Sequence, residues 1–176
     1  MTTVDKVKQT IRDIPNFPKE GIIFKDITPL FKNPELCKEV VDQLVSDLGN
    51  TNIDVVAGIE SRGFLFGTAL AMRLNVPFVL IRKKGKLPYQ TISHKYDLEY
   101  GSAEIEMHID AVAPGQSVLI HDDLLATGGS ASAAAELIKK QGGTVAGFNF
   151  LIELSFLDGR NLLSDYSENI STLVTY

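Results

Sequence analysis

Four short apolar runs limit what this chain can fold into: IDVVAGI (53–59), PFVLIR (77–82), SVLIHD (117–122) and TVAGFNFLIEL (144–154). Their apolar residues run together rather than alternating with polar ones, so each is expected to be a strand covered on both faces. Helical patterns intervene: GFLFGTALAMRLN (63–75) follows the first run, and SASAAAELIKKQG (130–142) follows the third. This alternation implies an α/β fold, a mostly parallel twisted sheet flanked by helices.

The rest of the chain is read around that sheet. Residues 3–13 are expected to form a short helix ended by Ile14-Pro15. In residues 35–48, Leu36, Val40, Leu44 and Leu48 share one helical face. Between these helices, FPKEGIIFKDITPLF is too punctuated by Pro and Gly for a long helix. Residues 83–101, KKGKLPYQTISHKYDLEYG, are polar, Lys-rich and longer than an ordinary connection, as functional loops are. SAEIEMHI (102–109) alternates polar and apolar residues, as a half-exposed strand does. No repeat, linker or low-complexity segment divides the 176 residues, so one domain is expected over 1–176.

Composition narrows the function. A formal net charge of −5 argues against general binding to a nucleic-acid backbone. No apolar run approaches the roughly 20 residues needed to span a bilayer, and the N-terminal stretch lacks the apolar core of a signal peptide. A cytoplasmic protein without membrane or nucleic-acid partners is therefore expected. Cys37 is the only cysteine and falls within a helical pattern, where it reads as a buried small hydrophobe. His94 and His108 have no Cys or His at metal-ligand spacing, so no zinc is assigned. His121 reads as a buried histidine satisfied by a backbone partner.

The chemistry concentrates at one strand-to-helix corner. After the strand 117–122 comes the small-residue turn Ala126-Thr127-Gly128-Gly129-Ser130, which opens the next helix. A helix N-terminus presents unpaired N–H groups and the positive end of its dipole, which suits a phosphate. Taken alone, TGGS is equally a tight turn with Ser130 as its N-cap. Asp122 and Asp123, at the carboxyl end of the same strand, shift the balance. Open α/β sheets bind ligands there, and carboxylates that repel a bare phosphate accept hydrogen bonds from vicinal hydroxyls. A ribose 5-phosphate offers both groups. The segment lacks the Lys of a Walker A loop and any G-x-G-x-x-G, so nucleoside-triphosphatase and dinucleotide readings fit poorly.

VLIHDDLLATGGS resembles the phosphoribosyl-pyrophosphate (PRPP) signature of the type I phosphoribosyltransferase family. Together with GIIFKDITPL, GIESRGFLFG, IRKKGKLP and YDLEYG, in order from about residue 14 to 160, it is similar to the adenine-specific members. The resemblance implies a type I phosphoribosyltransferase-like fold, with residues 1–34 as a hood that binds the base and 83–101 as a flexible lid. It implies transfer of the phosphoribosyl group from PRPP to adenine, giving AMP and pyrophosphate, with Mg2+ as cofactor. No side chain is expected as a direct metal ligand, the ion being held mainly by PRPP, pyrophosphate and water.

Within that resemblance, Ala126, Thr127, Gly128, Gly129 and Ser130 hold the 5′-phosphate, and Asp122 and Asp123 the ribose. Glu60, Ser61, Arg62, Arg82 and Lys86 surround the pyrophosphate, with Arg62 also assisting catalysis. A non-proline cis peptide is expected near Glu60-Ser61. Glu99 is the general acid/base near adenine N7. Tyr96 and Tyr100 seal the lid. Ile23, Phe24, Lys25 and Leu154 contact adenine. Lys25 stands where the family usually has Arg, which leaves backbone recognition intact but not a planar guanidinium contact. A homodimer is implied. Two alternatives share the PRPP site: a 6-oxopurine (xanthine or hypoxanthine) phosphoribosyltransferase, and a PRPP-sensing regulator without catalysis.

Overall fold

A computed structural model describes residues 1–98 and 101–176, which form two compact units, 1–43 and 44–176. In the first, helix α1 (Thr3–Thr10) is started by a capping box: Thr2 accepts from the Asp5 amide, and Asp5 accepts from the Thr2 amide. The expected helix over 3–13 ends three residues early. Pro15 disfavours helical backbone at Ile14, and Arg12–Pro15 (β1) instead pairs antiparallel with Ile23–Asp26 (β2). Two cross-strand ion pairs fasten this hairpin, Arg12–Asp26 at 3.0 Å and Lys25–Asp13 at 2.7 Å. A 3-10 turn (Thr28–Lys32) follows, then helix α2 (Pro34–Asp47). Val7, Leu30 and Val40 are fully buried, and the Cys37 thiol donates to the Leu30 carbonyl, 3.3 Å away.

The second unit is built on a sheet. Its strands are β3 (Val55–Ile59), β4 (Phe78–Lys83), β5 (Thr91–Asp97), β6 (Ser102–His108), β7 (Ser117–Leu125), β8 (Thr144–Glu153) and β9 (Ile170–Thr175). Among the described residues their order is β5-β6-β4-β3-β7-β8-β9. The pairs β4-β3, β3-β7, β7-β8 and β8-β9 are parallel; β6 runs antiparallel to β4, and β5 antiparallel to β6. Helix α3 (Gly63–Leu74) joins β3 to β4, helix α4 (Gly129–Lys140) joins β7 to β8, and a short helix α5 (Gly159–Ser164) precedes β9.

Topology positions the site. From β3 the chain crosses to β4 on one side, and from β7 it crosses to β8 on the other. Right-handed crossovers in opposite directions place α3 and α4 on opposite faces. The carboxyl ends of the adjacent β3 and β7 thus form the switch point where open α/β sheets take ligands. The α4 face is rich in small residues. Ala131, Ala133, Ala134 and Ala135 are buried and let the helix pack closely over Ile120, Phe148 and Phe150.

Two departures from the sequence reading stand out. The stretch 83–101 contains a seven-residue edge strand, β5, whose pairing partner β6 is supplied by the segment that follows it. β9 was not foreseen: ISTLVT is short, mixes Ser and Thr with aliphatics, and gains strand geometry by pairing with β8.

Candidate active site

Asp122 and Asp123 lie inside β7, which runs three residues beyond the expected run, to Leu125. Asp123 is only 4% exposed, and its Oδ2 lies 2.9 Å from Arg62 Nε. The structure thus brings together two residues singled out for different roles. Asp122 Oδ1 accepts from the Asp123 amide at 2.8 Å. Burial, and then the charge of Asp123, push the Asp122 carboxyl well above its ordinary value. Asp123 is also raised by burial, but the Arg62 guanidinium opposes the rise.

Past Leu125 the chain makes the small-residue turn. The residue that starts α4 is Gly128, in left-handed backbone (φ +86°), and no side chain caps the helix. The alternative in which Ser130 is the cap is therefore not what the chain adopts: Ser130 sits inside the helix and its Oγ lies 3.1 Å from Tyr96 Oη on β5. Asp122, Thr127, Gly128, Gly129 and Ser130 line one cavity of about 80 Å³. The turn is pressed from behind by the start of α5. A Cβ on Gly128 would come within 2.8 Å of the Gly159 carbonyl oxygen, and one on Gly159 would collide with the Ala126 carbonyl. Arg160, next in sequence, fixes that corner by a two-pronged pair with the buried Glu153, at 3.1 and 2.6 Å, and a bond to the Ile170 carbonyl.

Across the switch point, β3 leads into Glu60-Ser61-Arg62, and the Glu60–Ser61 peptide is cis as expected. Glu60 and Arg82 come together, but not as parallel ligand donors. Glu60 Oε2 accepts from Arg82 Nε at 3.2 Å and from the Lys83 amide at 2.7 Å. The guanidinium also reaches back to the Lys86 carbonyl, at 3.3 Å. Lys84 pairs with Glu104 at 2.8 Å, whereas among the described residues the exposed Lys86 ammonium has no ion-pair partner.

Sequence reasoning missed Glu106. The alternation of β6 predicts a solvent-facing side chain, yet Glu106 is 4% exposed. It also missed that a side chain joins the backbone in partnering His121: Nδ1 lies 2.8 Å from Asn149 Oδ1, and Asn149 in turn donates to Ser171 Oγ. Since the amide nitrogen serves Ser171, the amide oxygen accepts from the imidazole. Burial outweighs that bond and lowers the His121 pKa to about 4, so the ring is neutral at pH 7.

The remaining candidates are dispersed. Ile23 is exposed on β2; Phe24 meets Phe17 edge-on, with ring centroids 5.1 Å apart. The Lys25 ammonium is engaged by Asp13. Half-buried Leu154, just past β8, donates its amide to the Leu125 carbonyl. Glu99 and Tyr100 lie outside the described residues. Among the described residues no three His, Cys, Asp or Glu side chains gather as a metal site, and no helix is long and apolar enough to cross a membrane.

Comparison with known proteins gives one consistent result. Residues 26–160 match the phosphoribosyl transferase domain family. An adenine phosphoribosyltransferase of Cytophaga hutchinsonii is 54% identical over 170 residues, covering 97% of this chain and 94% of that one. The crystal structure of adenine phosphoribosyltransferase from Thermoanaerobacter pseudethanolicus aligns with a TM-score of 0.95 at 48% identity, over 98% of this chain and 99% of the other. The Saccharomyces cerevisiae enzyme, complexed with an imino-altritol bisphosphate and adenine, aligns at 0.90 with 42% identity, over 97% and 98%.

Proposed function

The chain belongs to the phosphoribosyl transferase family, and on that premise we propose that it transfers the 5-phosphoribosyl group of PRPP to adenine, releasing AMP and pyrophosphate in purine salvage. The observation that carries this reading is the corner after β7, where an uncapped helix start and Asp122 share one cavity beside the β3–β7 switch point. The family match runs from 26 to 160, across the boundary between the two units, which supports a single phosphoribosyltransferase domain over 1–176.

In this mechanism the turn 126–130 holds the 5′-phosphate through its amides and the Thr127 and Ser130 hydroxyls. Asp122 and Asp123 accept from the ribose hydroxyls, Asp123 exchanging part of its contact with Arg62 for the sugar. Arg62, Arg82 and Lys86 stabilise negative charge on the departing pyrophosphate. Glu60 serves the same end by holding Arg82. Adenine, as its N7–H tautomer, uses the N9 lone pair to form the new bond to C1 of the ribose as the C1–O bond to pyrophosphate breaks, and Glu99 takes up the N7 proton. The hydrogen bond between the Tyr96 and Ser130 hydroxyls supports a lid role for the 83–101 segment, with Tyr100 as its second aromatic seal. For the base, Ile23, Phe24 and Lys25 act through backbone groups and the Phe24 ring, since the Lys25 ammonium is held by Asp13.

Mg2+ binds through one or two carboxylates together with substrate phosphates and water. The Asp122 carboxyl is raised by burial and by Asp123, and the Arg62 charge only partly opposes the rise, so it fits a site that gains a further cation with the substrate. The ion would be held mainly by PRPP oxygens and water, and would neutralise charge on the leaving group. The exposed apolar Leu65 and Met72 of α3 support a homodimer, and the free thiol of Cys37 suits a reducing cytoplasm.

The test is direct: incubate the protein with PRPP, Mg2+ and each purine, and measure nucleotide and pyrophosphate. AMP formation from adenine is expected. Turnover of hypoxanthine but not adenine overturns the base assignment, and PRPP binding without turnover of any purine replaces the enzyme with a sensor. Glu99→Ala should lower kcat far more than PRPP affinity; equal effects would remove its acid/base role.

A further inference from the structure

We propose that Glu106, on β6, is a positioning residue that shapes the cationic turn 83–87 for the pyrophosphate end of the substrate. The inference rests on the PRPP reading above and adds a residue that lies behind the turn instead of on it.

Glu106 stands opposite Arg82 in the β4–β6 register. Its Oε1 accepts from three consecutive amides, those of Gly85, Lys86 and Leu87, at 3.0, 3.1 and 3.0 Å, and its Oε2 lies 3.2 Å from the Thr91 hydroxyl. A carboxylate so buried is costly unless its oxygens are satisfied. Burial raises the Glu106 carboxyl, but the amide and hydroxyl bonds outweigh it and hold the group below its usual range, so it is charged at neutral pH.

Three successive N–H groups converge on one oxygen only when the backbone curls into a nest. Gly85 supplies the left-handed residue this needs (φ +83°). The curl fixes where the Lys86 carbonyl faces Arg82, and the Lys83 amide at the other end of the turn is held by Glu60. Glu106 therefore sets the backbone from which Lys83, Lys84 and Lys86 project, and it holds the carbonyl that helps aim Arg82. Without the carboxylate, three amides lose their shared acceptor and the turn is free to open. The ordering entropy must then be supplied when the diphosphate binds.

This role separates the two ends of the substrate. AMP carries the 5′-phosphate but no pyrophosphate, so its binding does not use the 83–87 turn. Glu106→Ala and Glu106→Gln are compared with the unaltered protein by calorimetric titration with AMP and with Mg-pyrophosphate, and by kcat and KM for PRPP. Glu106→Ala should weaken pyrophosphate and raise the KM for PRPP on the order of tenfold, with AMP affinity changed less than about twofold. Glu106→Gln keeps an acceptor at the same place and should fall between. If Glu106→Ala does not fold, the Gln variant decides the matter, through the same split and through faster hydrogen exchange at Gly85, Lys86 and Leu87. Equal losses for AMP and pyrophosphate, or no loss for either, overturn the proposal. If the unaltered protein binds neither pyrophosphate nor PRPP, the functional reading falls and this inference with it.

Discussion

The two corners of the sheet proposed for the 5′-phosphate and the pyrophosphate are built by opposite means. The turn 126–130 is shaped by backbone against backbone: Gly128 and Gly159 approach so closely that neither has room for a Cβ, and the N–H groups of α4 are left without a capping side chain. The turn 83–87 is shaped by charge. Glu60, Glu104 and Glu106 reach it from two neighbouring strands and hold its amides and cations by hydrogen bonds and ion pairs. A monoester phosphate needs amides at one fixed spot, which steric packing supplies. A leaving diphosphate gains charge as it departs, and mobile cations held by carboxylates can follow that change.

Three substitutions would break or sharpen the contrast. The largest effect is expected from Gly159→Ala, whose methyl group would displace the Ala126 carbonyl. It should weaken AMP and PRPP together, by about ten- to a hundredfold, since overpacking costs ~1–3 kcal/mol. Titration with AMP is the check, and unchanged AMP affinity would mean that the close approach does not hold the phosphate turn.

An intermediate effect is expected from Asp122→Asn. The folded protein raises this carboxyl, so the native state binds a proton more readily than the unfolded chain, and stability declines as pH rises from the unfolded value of 3.8 towards the folded one. Removing the charge should raise the melting temperature of the ligand-free protein at pH 7 by about 2–4 °C while weakening PRPP binding. The gain should vanish below about pH 3.5, where the carboxyl is protonated in both states. Differential scanning calorimetry across pH reads this directly, and a lower melting temperature at pH 7 would refute it.

The smallest effect is expected from Lys84→Ala. Its pair with Glu104 is exposed, and such pairs contribute about 0–1 kcal/mol. KM for PRPP should change less than about threefold. A tenfold rise would place Lys84 on the pyrophosphate itself.

The same contrast explains what the sequence made legible. The phosphate corner is local: strand, acids, turn and helix start occupy 117–138 without interruption, so periodicity and helix-terminus chemistry suffice to read it. The cationic corner is not local. Its organiser Glu106 lies about twenty residues downstream in a segment whose alternation points that side chain towards water, and only the antiparallel pairing of β6 with β4 turns it inward. Gly159 was likewise invisible, because its constraint is a carbonyl more than thirty residues earlier in the chain. Strand β7 was read too short, ending at Asp122, since two adjacent acids look like the end of a buried strand until Arg62 is seen to neutralise one of them.

The carboxylates behind the 83–87 turn also bear on what this mouth ignores. Against the four cations Arg82, Lys83, Lys84 and Lys86, the segment is held by the three carboxylates of Glu60, Glu104 and Glu106, which leaves a surplus of one positive charge. A nearly balanced mouth exerts little pull on distant polyanions such as RNA, whose capture depends on unneutralised basic surface. Discrimination then falls to short-range fit: a small, densely charged guest can coordinate the cations one by one, and a long phosphate backbone finds no field to follow.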